Sequence, residues 1–332
     1  MTPLLELRDV HKTFTGRGRT VRASRGVSLA VQPGEVVGLV GESGSGKSTV
    51  ANLALGLLAP DSGEVLVHGE RLIGASRRRE KELRARVQAV FQEPLLALDG
   101  RRTIGWSIAE PLRIHGRGTK AEQQARVAEL LTAVGLDPSF AERRPSQMSG
   151  GQLQRVNIAR AIALDPELLV CDEPVSALDV SVQAQIINLF LEVQERLGVG
   201  MLFISHDLAV VRHLADRIVV MYAGRVVEEG PTDELCANPH HPYTRALLAA
   251  SLEPSADEAG AGVQTATTDQ SAIEGVPQEG CPFVPRCPLA EPACAQPGIA
   301  LAPTTPGRAS ACRRADLLVG TAAGATTSPD PD

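Results

Sequence analysis

Aromatic residues are scarce: six Phe, two Tyr and one Trp, 3% of 332 residues. A core must therefore be aliphatic, and a hydrophobic content of 43% supplies it. Lysine is scarce as well. Of 33 basic residues only Lys12, Lys47, Lys81 and Lys120 are lysines, so a lysine inside a motif is not background. No uninterrupted apolar run reaches the roughly 18 residues of a membrane span. The first residues, Met1-Thr2-Pro3-Leu4-Leu5-Glu6, lack the basic and apolar regions of a signal peptide. A cytosolic chain is expected, with its six cysteines reduced or metal-bound rather than disulfide-paired. A net charge of −6 argues against nucleic acid as a partner. The length allows two domains, or one large domain with an appendix.

What is present is led by Gly41-Glu42-Ser43-Gly44-Ser45-Gly46-Lys47-Ser48-Thr49, a match to the phosphate-binding pattern G-x-x-x-x-G-K-[ST]. The apolar run Val36–Val40 before it reads as a buried strand, and Val50–Leu55 after it as a helix. The glycines let successive N–H groups turn toward an anion, and the helix N-terminus adds its dipole there. Lys47 is placed to reach the β- and γ-phosphates of a nucleotide, and Ser48 to bind Mg²⁺.

Around this loop the pattern is α/β. Strands are expected near Leu4–Val10, Val27–Val31, Glu64–Glu70 and Val87–Gln92, with helical spacing from Lys120 to Val134 inside an inserted segment. Phe14 alone reads as strand packing or as a base-stacking platform. Ser149-Gly150-Gly151-Gln152 fits a helix N-cap or a linker equally well. Leu168-Leu169-Val170-Cys171-Asp172-Glu173 is a buried strand with two carboxylates at its C-terminal end, where open α/β sheets place ligands. One carboxylate suits a water-mediated Mg²⁺ contact and the other suits a general base. Met201–Ile204 is a further strand, ending at His206, which reads as structural or as a γ-phosphate sensor. The hairpin Arg217 to Gly230 follows.

The order Gly41–Thr49, Gln92, Ser149–Gln152, Asp172-Glu173, Ser176–Asp179 and His206 resembles an ABC transporter ATPase subunit, over residues 4 to about 318. His241-Pro242-Tyr243-Thr244-Arg245-Ala246-Leu247-Leu248 and Gly280-Cys281-Pro282-Phe283-Val284-Pro285-Arg286-Cys287-Pro288 resemble the oligopeptide/dipeptide importer branch. The resemblance implies a P-loop ATPase core over 1–236. That core carries a small antiparallel β subdomain and an α-helical subdomain inserted near 95–148. It also implies a C-terminal region over 237–318, an irregular lobe containing cysteines, and a disordered tail over 319–332. It implies ATP and Mg²⁺ as ligands: Phe14 against adenine, Gly41, Ser43, Gly44, Ser45, Gly46, Lys47, Ser48 and Thr49 around the phosphates, and Ser48, Gln92 and Asp172 toward Mg²⁺. Glu173 would be the base and His206 the γ-phosphate switch. Asp179 would also belong to the nucleotide site. Ser149, Gly150, Gly151 and Gln152 would belong to a site shared with a second ATPase subunit, expected to be a paralogue. Two permeases and an extracytoplasmic binding protein would complete an importer on the cytoplasmic face of the membrane. The competing class is a non-transport ABC ATPase in DNA repair or translation. Met148 and Asp99-Gly100 depart from the family pattern, where Leu and an Asn-Pro pair are common.

Cys281, Cys287, Cys294 and Cys312 follow a Gly-, Ala- and Thr-rich linker near 255–272 with the spacing C-x₅-C-x₆-C-x₁₇-C. This is not the C-x₂-C pairing of zinc ribbons, and its prolines keep long helices out. The related importer ATPases carry a similar pattern that can hold a [4Fe–4S] cluster. A cluster, zinc and unliganded thiols are the three readings. Cys171 and Cys236 lie outside the pattern and read as structural.

Overall fold

The structure, a computed structural model, describes residues 2–16, 19–252 and 279–319. The linker near 255–272 and the tail over 320–332 lie outside the described residues.

The chain opens with two long antiparallel strands, β1 (Leu5–Gly16) and β2 (Arg19–Val31), then enters β3 (Val36–Val40) and α1 (Lys47–Ala54). β4 (Ser62–Val67), β5 (Glu70–Arg71), α2 (Arg77–Arg86) and β6 (Val87–Val90) follow. The inserted helices are α3 (Pro94–Ala97), α4 (Ile104–His115) and α5 (Lys120–Ala133), and α6 (Gly150–Ala161) leads back to the sheet. Then come β7 (Leu168–Asp172), α7 (Val180–Leu197), β8 (Gly200–Ser205), α8 (Leu208–Leu214), β9 (Arg217–Tyr222) and β10 (Arg225–Pro231). The last elements are α9 (Thr232–Ala237), α10 (Pro242–Leu252), β11 (Ala302–Thr305) and β12 (Arg308–Ser310).

Two sheets result. The antiparallel one has the order β2-β1-β4-β5, and the larger one β11-β12-β10-β9-β3-β8-β7-β6. In the larger sheet β6, β7, β8, β3 and β9 run parallel, so their C-terminal ends share one rim. Successive residues of its strands alternate between two cores, as strand geometry requires. Val36, Leu169, Met201 and Phe203 face a core shared with α4 to α8. Val37, Leu39, Val170 and Leu202 face one shared with α1 and the antiparallel sheet. Burial on both faces explains why these strands read as continuous apolar runs. Gly38 lets α8 close in, since a Cβ there would lie 2.1 Å from Val211 Cγ1.

The described part of the cysteine lobe departs from a wholly irregular segment. Short 3₁₀ turns at Val284–Arg286 and Pro292–Ala295 are followed by a β11–β12 hairpin, and β12 pairs with β10. The lobe thus extends the sheet of the ATPase core. Beneath it lies a buried ion pair, Arg308 Nη2 to Glu228 Oε1 at 2.9 Å, with Glu228 fully buried. The same carboxylate accepts from the backbone N–H of His240 and His241, at 2.7 and 2.8 Å.

Candidate nucleotide site

The phosphate loop bridges β3 to α1. A Cβ on Gly46 would meet Ala23 O at 2.2 Å, and its φ of 105° lies in the left-handed region, so glycine is required there. The first N–H groups of α1 have no partner within the helix, which makes this end a place for an anion. Lys47 is buried, and its Nζ donates to Gly41 O and Glu42 O at 2.7 and 3.0 Å. Burial pulls its pKa down, while Glu173, Asp172 and Glu42 pull it up. Ser45 Oγ is buried without a hydrogen-bond partner among the described residues. A loop with an orphaned hydroxyl, an anion-facing helix end and a buried cation fits the phosphates of Mg-ATP.

Across the rim, Ser48 Oγ donates to Asp172 Oδ1 at 3.3 Å. Burial raises the Asp172 carboxyl, partly countered by this hydrogen bond. Glu173, at φ 46°, turns its Oε2 to within 3.1 Å of His206 Nδ1, and its Oε1 lies 3.9 Å from Lys47 Nζ. The hydrogen bond to His206 lowers the Glu173 carboxyl and raises the imidazole. Gln92 Nε2 donates to Ser176 Oγ at 3.2 Å, and Ser176 Oγ donates to Glu173 O at 3.1 Å. Ser176 therefore ties the glutamine to the acidic turn. Asn157, buried, donates to Phe91 O and fixes the backbone just before Gln92.

Lys47, Ser48, Gln92, Asp172, Glu173 and His206 are thus linked in one place, whereas Ser149–Gln152, Asp179 and Phe14 make other contacts. Ser149 and Gln152 form a reciprocal capping box at the N-terminus of α6, 3.4 and 3.1 Å, with Ser149 and Gly150 exposed. No hydrogen bond or ion pair among the described residues joins this segment to the phosphate loop. Asp179 caps α7, accepting from Val182 N at 3.0 Å and Ser181 Oγ at 2.7 Å. Phe14 is 44% exposed at the end of β1, with Lys12 Nζ 6.0 Å from its ring centre, so a ring face is accessible for stacking.

Two contacts were not read from the sequence. Tyr243 Oη accepts from Glu42 N at 2.8 Å, and Arg286 grips the Glu42 carboxylate with both guanidinium branches. Their only signal was that both residues lie in the two C-terminal stretches that resemble the importer branch.

Residues 24–176 match the ABC transporter family, and residues 227–294 match the family described as oligopeptide/dipeptide transporter, C-terminal region. A relative from Brucella ovis is 44% identical over 322 residues, 95% of this chain and 99% of its own length. The chain belongs to the ABC transporter family. This ABC ATPase is also 45% identical to the oligopeptide transport ATP-binding protein OppF of Escherichia coli (strain K12), over 88% of this chain and 87% of that protein. Among solved structures it resembles a dimeric post-hydrolysis state of the ATP-binding cassette MJ0796 bound to ADP and Pi. That likeness has a TM-score of 0.63 and 32% identity, covering 69% of this chain and 98% of the other. Nothing in these likenesses favours DNA repair or translation. Among the described residues no helix is long and apolar enough to cross a membrane.

The four spaced cysteines converge with His241 on one narrow cavity, closed by Val284, Leu289 and Ile299 and flanked by Arg313 and Arg314. All are free thiols. Burial raises Cys281 and Cys287, and raises Cys312 to about 11. Burial pushes His241 down to about 3. Among the described residues no group of three or more His, Cys, Asp or Glu side chains is arranged to hold a metal ion. The expected cluster finds no support there.

Proposed function

We propose that this ABC ATPase is the ATP-hydrolysing subunit of an importer for oligopeptides, dipeptides or a related small solute. The names of its relatives and the match of its C-terminal region support that substrate class. Its partners are a second ABC ATPase subunit, a paralogue, together with two permeases and an extracytoplasmic binding protein. It works at the cytoplasmic face of the membrane. The observation that carries the reading is Glu173, poised at a strand end between Lys47 and His206.

When bound, Mg-ATP supplies the scissile phosphoanhydride and a charge-neutralising cation. Lys47 and the loop amides hold the β- and γ-phosphates, with Ser48, Gln92 and Asp172 toward the cation. Phe14 offers its exposed ring to the base. Glu173, kept ionised by His206, orients a water and takes its proton. The Ser149–Gln152 segment and Asp179 serve the site of the partner ATPase, which fits the exposure of Ser149, Gly150 and Asp179. Nucleotide then joins the two subunits and hydrolysis releases them, a two-state element for transport. Replacing Glu173 with Gln should leave ATP binding intact and slow turnover by about 10²–10⁴-fold, the usual worth of a general base. Hydrolysis near the wild-type rate would remove Glu173 from that role.

For the cysteine lobe we retain a [4Fe–4S] cluster on Cys281, Cys287, Cys294 and Cys312. Each cluster thiolate binds a different iron, so its ligands need not crowd one ion, and an apolar cavity with flanking arginines suits an anionic cluster. Anaerobic purification with iron and sulfide analysis should give about four irons per chain. Stoichiometric zinc without iron would sink this assignment.

A further inference from the structure

Both tyrosines of this aromatic-poor chain stand behind the phosphate loop. Tyr222 and Tyr243 pack at 4.6 Å between ring centres, and Phe283 of the lobe meets them edge-on at 5.4 and 5.5 Å. Arg286 lies over this cluster, 5.4 Å from the Phe283 centre. Its two terminal nitrogens reach the two Glu42 oxygens at 2.9 and 3.0 Å, across 244 positions of sequence. Glu42 is the one acidic residue in Gly41–Thr49. Its backbone N–H is spent on Tyr243 and its carbonyl receives Lys47. One residue of the loop is thus held at three points, two of them by side chains from beyond β10.

We infer that Arg286 is a positioning residue of the nucleotide site, acting from the C-terminal lobe. It neutralises and fixes the carboxylate of Glu42, so that the loop presents no bare negative charge to the phosphates. A planar fork on two carboxylate oxygens does this better than a point charge. Lys47 senses Glu42 electrostatically, which places that carboxylate within range of the phosphate-binding cation. The turn bearing Arg286 is pinned at both ends, because Cys281 N donates to Cys294 O and Cys287 N to Val284 O, 2.8 and 3.2 Å.

The inference rests on the nucleotide reading of the loop, and the test separates the two. The full chain is titrated with mant-ATP and Mg²⁺ at low and high salt. Arg286→Gln should bind about fivefold more weakly at low salt, as expected for one partly exposed, well-oriented pair. The loss should shrink at high salt, because screening weakens the repulsion it uncovers. Adding Glu42→Gln to Arg286→Gln removes that repulsion and should return affinity to within about twofold of wild type. Arg286→Lys should lie between, keeping charge but not the fork. A defect that persists in the double variant, or that ignores salt, would make Arg286 merely structural and overturn the inference. So would an Arg286→Gln affinity equal to wild type. If Arg286→Gln fails to fold, Arg286→Lys with and without Glu42→Gln carries the same comparison. A wild-type chain that does not bind mant-ATP would overturn the nucleotide reading itself.

Discussion

Glu173 holds a left-handed backbone, φ 46°, that few residues other than glycine adopt. Such strain persists where the surroundings over-determine it, and here Glu173 N donates to Ile204 O of β8. Its carboxylate is pulled down and His206 pushed up by their shared hydrogen bond. The pair is therefore complete in the window between the two values. It is lost as pH falls through the lowered Glu173 value or rises through the raised His206 value. His206 followed by NMR should titrate above its ordinary 6.5, and Glu173→Gln should bring it back toward that value. An unchanged His206 titration would break the link. Lys47→Ala should abolish mant-ATP binding while circular dichroism stays native, because a buried ammonium held by two carbonyls of its own loop is costly to the fold without nucleotide. Both residues were legible in the sequence, since each lies in a local pattern with a mechanism. Arg286 and Tyr243 were not, because their meaning depends on meeting Glu42 across the fold.

At the scale of elements, the strands and helices around the site follow periodicities visible in the sequence. β3, β7 and β8 lie where apolar runs predict them. α7 begins at Val180, where Asp179 supplies its cap. Asp179→Ala should lower stability, read as a urea midpoint shifted downward with an unchanged slope. β12 was invisible: three residues carry no periodicity, and their partner strand lies about 80 positions upstream. Glu228 is its counterpart in β10. An acid in a hairpin strand reads as solvent-facing, yet Arg308 and two backbone amides bury it completely. Burial raises its carboxyl, and removing either partner strands a charge. Arg308→Ala should cost about 3 kcal/mol in denaturant unfolding. A loss under about 0.5 kcal/mol, the range of ordinary surface changes, would show that the pair is dispensable.

Across the whole molecule, the C-terminal lobe extends the ATPase sheet through β12 and touches the phosphate loop through Arg286. Ending the chain after Leu252 removes Arg286, Arg308 and the hairpin on β10 together. Such a chain should bind mant-ATP more weakly and self-associate in sedimentation velocity, whereas the full chain should not. A truncated chain that stays monomeric with native affinity would refute both expectations. The reason for self-association lies in β11. It is the outermost strand on its side of the sheet, it is only four residues long, and it contains Pro303, which has no N–H to offer a neighbour. β10, stripped of its hairpin, would present a row of open backbone groups to any passing strand. The hairpin should therefore block strand addition at that edge. With that edge blunted, two such subunits have no sheet-to-sheet route of joining there to compete with a nucleotide-dependent meeting.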